Sequence, residues 1–352
     1  MTPTKSKKVR IGIIGAGGFA NTHMQFLSQL TDVEVVAFSR RDGAALKDMQ
    51  DKWKVKRGFT DYRKMLDMDG LDAVDIVTPT DSHHQIALDA IAAGKHVLCD
   101  KPLAMNAPQA REMLEAAEKA KVVHCTNFNQ RGRTPAGRIA RYIEGGFVGR
   151  TYHANISWMM SNQYEVRPSM LSWRYRPENG GGTVYELIHV FDMARLLCGE
   201  VSRVCAYLHT AEKNRKVPDV PDGMDVSVPD SSAFMFESAS GAYGVLHTSF
   251  VSRGQDPDGM TSARIDVTGE IGRIMTDGRY GIVGYSGTFG SPQGPLRELD
   301  PGEPYPQPYE QFVRAIRTGE PVKTSFFDGM KAAELVDASM ESAKKRRWVD
   351  VD

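Results

Sequence analysis

The stretch GKHVLCDKPLA, Gly94–Ala104, sets a carboxylate, an ammonium and a rigid ring in succession, Asp100, Lys101 and Pro102, where an apolar run ends. An ammonium held still in such a place can donate to an oxygen that develops negative charge. Proline fixes the local chain direction and so supplies the stillness. The plainer alternative is a polar turn at a strand end. A second candidate lies near the start, where GIIGAGGFANTHMQFL spaces Gly15, Gly17 and Ala20 as G-x-G-x-x-A, with Gly18 and Phe19 inside the loop. The first glycine permits a tight turn, the second lets a pyrophosphate approach the backbone, and the small third residue lets the following helix pack on the strand. The helix start offers N–H groups and the positive end of its dipole to phosphates. In a strand–turn–helix setting this pattern predicts dinucleotide binding.

A third stretch bears on which dinucleotide. An NAD site usually places a carboxylate about 20 residues after the first glycine, to bind the ribose 2′-hydroxyl. Here VVAFSRR supplies Ser39, Arg40 and Arg41, with Asp42 a little too late. A hydroxyl and guanidinium groups suit a 2′-phosphate, so NADP is the expected cofactor, with NAD as the second choice. The alternative is a solvated arginine pair on a loop.

The elements that must carry these residues follow from periodicity. VRIGIIG (Val9–Gly15), VEVVAF (Val33–Phe38), AVDIV (Ala73–Val77), HVLC (His96–Cys99) and VVHCT (Val122–Thr126) read as strands, alternating with helical segments. In PQAREMLEAAEKA, Ala110, Met113, Leu114 and Ala117 share one helix face, and Pro108 suits the first turn. Near-continuous apolar strands alternating with helices predict a parallel sheet covered on both faces. Beyond Asn127, TYHANISWMM, SSAFMFESASGAYGVLHTSF and ARIDVTGEIGRIMTD read as longer, mostly antiparallel strands, with ESASGAYG as a turn. The stretch Lys213–Asp230 reads as an exposed loop, and a last helix from about Asp328 to Lys344 places Leu335, Val336, Met340 and Ala343 on one face. The fold class is α/β: a Rossmann dinucleotide-binding domain over 1–127, then an α+β domain with an open, mostly antiparallel sheet over 128–352, its C-terminal helix able to pack back on the first domain.

The 352 residues suit two domains, and 41% hydrophobic with 25% charged residues predicts a sizeable core. Lysine plus arginine (44) equal aspartate plus glutamate (44), so no basic excess points to nucleic acid. The basic start lacks a signal-peptide run, and no apolar stretch is long enough to cross a bilayer. Cys99, Cys125, Cys198 and Cys205 form no C-x-x-C pair and read as buried thiols of a cytoplasmic protein. His83 and His84 lack a third ligand, so no metal is expected.

Together these stretches carry a resemblance. Gly15–Ala20, then TPTDSHHQIALDAIAAGKHVLCDKPLA, NFNQRGRTP, SWRYRPENGGG, IHVFD and the ending GEPVKTSFFDGMKAAELVDASMESAKKRRWVDV occur in the order of the Gfo/Idh/MocA family of sugar and cyclitol oxidoreductases, which the chain resembles over nearly its whole length. The resemblance implies an enzyme that transfers hydride between nicotinamide and a carbinol or carbonyl of a sugar, inositol or related polyol. It implies substrate held between nicotinamide and sheet, and a homo-oligomer, dimer or tetramer. Lys101 and His189 match the catalytic pair, and Asp192 a carboxylate in the substrate pocket. The Lys101–Pro102 bond is often cis in relatives. Ligands of open α/β sheets sit outside the carboxyl ends of strands, where Asp100–Lys101–Pro102 emerges.

On this pattern Thr78, Pro79, Thr80, His83, Asp100, Lys101, Pro102 and Asn129 join the glycine loop and Ser39–Arg41 on the cofactor side. Lys101, Trp158, Trp173, Arg174, Tyr185, Glu186, His189 and Asp192 line the substrate side, with Arg176 nearby. The chain departs from the pattern at Tyr185, where relatives often carry aspartate four residues before the histidine. Glu186 is then a stand-in, if both neighbour His189 on one helix. Asp100 stands where glutamate is commoner. Two other readings stay open: a redox-neutral relative that keeps its cofactor and acts on a glycoside, and a dinucleotide-binding regulator without catalysis.

Overall fold

The branched runs of the first third become β1 (Val9–Ile14), β2 (Val33–Ser39), β3 (Arg57–Phe59), β4 (Ala73–Ile76), β5 (His96–Cys99) and β6 (His124–Thr126). In the computed structural model, which describes residues 8–161, 177–217, 220–252, 263–276, 281–288, 290 and 294–351, these strands pair in parallel in the order β3-β2-β1-β4-β5-β6. Chain direction across the sheet reverses between β1 and β4, the switch point at which such sheets bind ligands. Alternate side chains of β1 feed different layers. Ile11 and Ile13 pack with Ala20, Met24 and Phe312, whereas Ile14 packs with Val74, Ile76, Ile86 and Met113. Strand β3 went unread in the sequence because Arg57–Phe59 has no apolar run, only an edge position beside β2.

The later strands are β7 (Thr151–Ser161), β8 (Val201–His209), β9 (Asn214–Val217), β10 (Val220–Asp225), β11 (Ser231–Ser238), β12 (Tyr243–Ser252), β13 (Ala263–Gly269), β14 (Gly272–Thr276), β15 (Ile282–Ser286), β16 (Arg297–Glu298) and β17 (Val349–Asp350). Among the described residues, nine of them form one sheet in the order β16-β15-β14-β13-β7-β12-β11-β8-β17. Only the β7–β12 pairing is parallel there. Helix His189–Cys198 lies on one face, over β7, β12 and β8. On the other face Tyr207, Met235, Tyr243 and Val245 stand exposed.

Two sequence expectations are corrected. Lys213–Asp230 is not simply a loop, because β9 and β10 pair antiparallel within it; a two-stranded ribbon consists of edges, where proline is tolerated. Met340 does not face inward but is 41% exposed, while Leu335, Val336, Ala338, Ser339 and Ser342 are buried. Small residues let helix Phe326–Lys345 lie close to its neighbours, and the Ser342 hydroxyl accepts the Ala206 N–H of β8 at 2.9 Å. Cys99, Cys125 and Cys198 are buried, but Cys205 is only partly so.

The chain divides into two compact units. One holds the described residues up to Phe128 together with Pro306–Ala333, and the other holds Asn129–Tyr305 and the described residues from Glu334 on.

Candidate active site

In the first unit, Gly15 has φ +96°, and a Cβ there would lie 2.6 Å from the carbonyl of Val77. Glycine is therefore required twice over, by conformation and by the close passage of β4. Its N–H and that of Ala16 both donate to the Ser39 carbonyl, at 2.9 and 3.1 Å. Around Gly18 nothing stands within 4 Å of a built Cβ, and at Gly17 only the Gly15 carbonyl does, at 3.8 Å. Phe19 turns its ring outward at the start of helix Ala20–Leu27. The loop is thus open on the side from which a pyrophosphate would approach, and its residues fit a dinucleotide.

At the end of β2, Ser39 is buried and Arg40 reaches back so that its Nη1 donates to the Ala16 carbonyl at 3.0 Å. Arg41 is exposed. Asp42 has a task of its own: its Oδ1 accepts the Ala45 N–H at 3.1 Å and caps helix Gly43–Trp53. That carboxylate therefore has a capping role at the helix start.

Strand β5 delivers Asp100, Lys101 and Pro102, and the Lys101–Pro102 peptide is cis. The Asp100 N–H donates to Ile76 of β4 at 2.9 Å, extending the ladder by one residue. His83 is wholly buried, its ring nitrogens each 2.8 Å from a carbonyl oxygen, of Pro102 and of Thr78. It thereby ties the exits of β4 and β5 together. The Thr78 hydroxyl accepts from Ser82 at 2.8 Å, Pro79 is exposed, and buried Thr80 opens the turn Thr80–Ser82. His84 points elsewhere, with Nε2 2.8 Å from Glu112. Among the described residues no group of three or more metal-binding side chains converges.

Behind this turn lies a cluster that the sequence reading missed. His23 Nδ1 lies 2.9 Å from Asp75 Oδ2, both side chains fully buried. Asn127 Nδ2 lies 3.2 Å from His23 Nε2, 3.2 Å from Asp100 Oδ1 and 2.9 Å from the Tyr309 hydroxyl. Burial works against charge on His23, but the charge and hydrogen bond of Asp75, with Asp100 behind it, outweigh it and raise the pKa. For Asp75, burial raises the pKa against the pull of His23. The signal was present in AVDIV, since a carboxylate inside a fully buried strand demands a partner.

In the second unit, Gly182 at φ +93° opens the short helix Thr183–Glu186. The chain then breaks at Leu187 and Ile188 before helix His189–Cys198 begins. Tyr185 and Glu186, both partly buried, therefore do not share one continuous helix with His189, which corrects the i−4/i−3 expectation. Burial, then the charge of Asp337, pushes the Tyr185 phenol pKa up. His189 occupies the first position of its helix, buried, with Trp158 of β7 stacked on it at 5.6 Å between ring centres. The buried Trp158 Nε1 makes no hydrogen bond among the described residues. Asp192 is also buried, and Arg131 holds both of its oxygens, Nε to Oδ2 at 2.9 Å and Nη2 to Oδ1 at 2.6 Å. Asp192 anchors Arg131, which also bonds the Tyr305 phenol. Asn129 is buried, and its carbonyl accepts the N–H groups of Gly132 and Arg133. Trp173, Arg174 and Arg176 lie outside the described residues.

Comparison with known proteins agrees with this architecture. The family model for an oxidoreductase family with an NAD-binding Rossmann fold matches residues 9–128, and the GFO/IDH/MocA C-terminal domain matches residues 137–275. Levoglucosan dehydrogenase of Pseudarthrobacter phenanthrenivorans is 28% identical, with 98% of each chain covered. Myo-inositol 2-dehydrogenase of Thermotoga maritima is also 28% identical, over 98% of this chain and 99% of its own. A solved structure of levoglucosan dehydrogenase with NADH and levoglucosan matches with a TM-score of 0.85 at 28% identity, covering 98% of this chain and all of that one. The first unit is an NAD-binding Rossmann domain, the protein is an oxidoreductase, and the chain belongs to the Gfo/Idh/MocA family.

Proposed function

We propose that the protein transfers hydride between a nicotinamide cofactor and a carbinol or carbonyl of a sugar, inositol or related polyol, with Lys101 and His189 handling the proton. The observation that carries this reading is the Lys101 turn at the carboxyl end of β5, in the same parallel sheet whose β1 ends in the open glycine loop. When bound, the dinucleotide supplies the hydride acceptor or donor. In oxidation the C–H electron pair departs with its hydrogen as hydride, the hydroxyl proton passes to His189, and a C=O bond forms. Lys101 donates a hydrogen bond to the same oxygen and steadies its developing charge. His189 begins its helix, buried beside the Trp158 ring. Trp158, Tyr185 and Glu186 support a substrate side in the second unit, with Trp173 and Arg174 assigned to it from sequence, and Asp192 acts through Arg131.

Ser39, Arg40 and Arg41 support NADP as the preferred cofactor with NAD accepted, because Asp42 is committed to its helix cap. The exposed apolar side chains Tyr207, Met235, Tyr243 and Val245 on one sheet face support a homo-oligomer, dimer or tetramer. Free cysteines suit a cytoplasmic location. No described helix is long and apolar enough to cross a membrane.

The test follows reduced nicotinamide by absorbance with NADP⁺ and NAD⁺ against a panel of sugars and inositols. Net reduction is expected, lowered about 10²–10⁴-fold by Lys101→Ala with cofactor affinity retained. Copurifying nucleotide with no net absorbance change on any substrate would replace this reading with redox-neutral action on glycosides, or with a regulator.

A further inference from the structure

The cluster behind the Lys101 turn has no part in the chemistry just described. His23, Asp75, Asn127 and Tyr309 are each fully buried, and Asp100 is the one member whose side chain reaches solvent, at 13%. Because an ionised carboxylate only accepts, Nδ1 of His23 carries the hydrogen donated to Asp75, while Nε2 lies 3.2 Å from the Asn127 amide nitrogen, which also donates to the Tyr309 hydroxyl at 2.9 Å. The same amide donates to Asp100. The contacts run in series: Asp75 orients the His23 ring, the ring lies against Asn127, and Asn127 holds the carboxylate that directly precedes Lys101.

Packing alone gives no reason for this arrangement. A branched apolar residue at position 75 would continue the buried run of β4, and Asp75 Oδ1 and Asn127 Oδ1 are buried without a partner among the described residues. Buried polar groups held at such cost specify one geometry over its neighbours. The cluster reaches solvent at Asp100.

We propose that His23, working with Asp75 and Asn127, is a positioning residue for the reaction: it holds the Asp100 carboxylate, and with it the Lys101 ammonium, at the end of β5. The proposal rests on the role given to Lys101 above. Glutamine carries its amide near the Nε2 position of histidine and asparagine near Nδ1. His23→Gln therefore keeps the link to Asn127, whereas His23→Asn keeps only the link to Asp75.

Both variants and Lys101→Met are compared with the unaltered protein, with NAD(P)⁺ and whichever of levoglucosan and myo-inositol is oxidised. Crystal structures and melting temperatures of all four accompany the kinetics. His23→Asn is expected to lower kcat about 10²-fold, the cost of a misplacement near 1 Å, with KM and NADH affinity within about threefold and a displaced Asp100–Lys101 pair in the crystal. His23→Gln is expected to recover most of kcat and to leave the pair in place. Equal losses in the two His23 variants would overturn the proposal, as would an unmoved pair in the His23→Asn crystal, a readout that needs no substrate. If Lys101→Met keeps full kcat, the underlying role of Lys101 fails and the proposal falls with it. If Lys101→Met is inactive while His23→Asn is unimpaired, only the positioning role fails.

Discussion

The first unit holds its candidate residues largely through backbone, and the second holds its own through paired side chains. In the first, Gly15 brings two amides to Ser39, and His83 spans the carbonyls of Thr78 and Pro102. Ligand groups would meet peptide N–H and strand ends, and one parallel sheet delivers all of them to the same edge. In the second, Arg131 grips Asp192 and Trp158 stacks on His189, each pair joining elements far apart in sequence. A backbone-built site tolerates many side-chain changes but fails where a glycine is replaced. A side-chain-built site fails when either partner goes, because the survivor keeps its burial and loses its compensation.

The largest effect that would test this contrast is Arg131→Met. Removing the guanidinium from buried Asp192 should cost about 3–5 kcal/mol in urea unfolding, and the double variant Arg131→Met/Asp192→Leu should recover much of it. A loss under about 1 kcal/mol would mean that the pair is no anchor.

His124 of β6 offers the next effect, in the first unit. Its Nδ1 accepts the Phe326 N–H at 3.1 Å, and burial holds its pKa down at about 4, from 6.5. The unfolded chain takes up this proton near pH 6.5 and the folded one only near 4. The stability it confers is thus complete above the first value and lost as pH falls between them, up to about 3 kcal/mol. Thermal melts of His124→Asn should lack this acid limb; an unchanged limb would place its origin elsewhere.

Gly15→Ala should cost about 1–3 kcal/mol of backbone strain and weaken NADH binding in fluorescence titration. Gly18→Ala, with open space around it, should leave the melting temperature unaltered. Equal destabilisation by the two would erase the distinction between strained and open glycines. The smallest effect is at the cofactor selector, where Arg40→Ser should cut the preference for NADP over NAD by about tenfold, read from the two dissociation constants. No change would leave Arg40 as a brace for Ala16 alone.

Local patterns disclosed the parallel strands, the glycine loop and the helix face of Ala110, Met113, Leu114 and Ala117, because each is set within a few residues by period or turn chemistry. The same patterns placed Lys101 at a strand exit. They failed where a residue had two possible employments. Met340 could face in or out, and the residues of Lys213–Asp230 could form a loop or a strand pair. The helix break before His189 was hidden too, since VYELIHVF is apolar enough to run on as one helix.

Chain order alone was sufficient for the α/β architecture of the first unit, since strand period and glycine placement act between near neighbours. The partners of buried charges were decided only in three dimensions. His23 meets Asp75 across 52 residues and Arg131 meets Asp192 across 61. A buried charge announces in sequence that it needs a partner, but which one it finds depends on how distant elements pack.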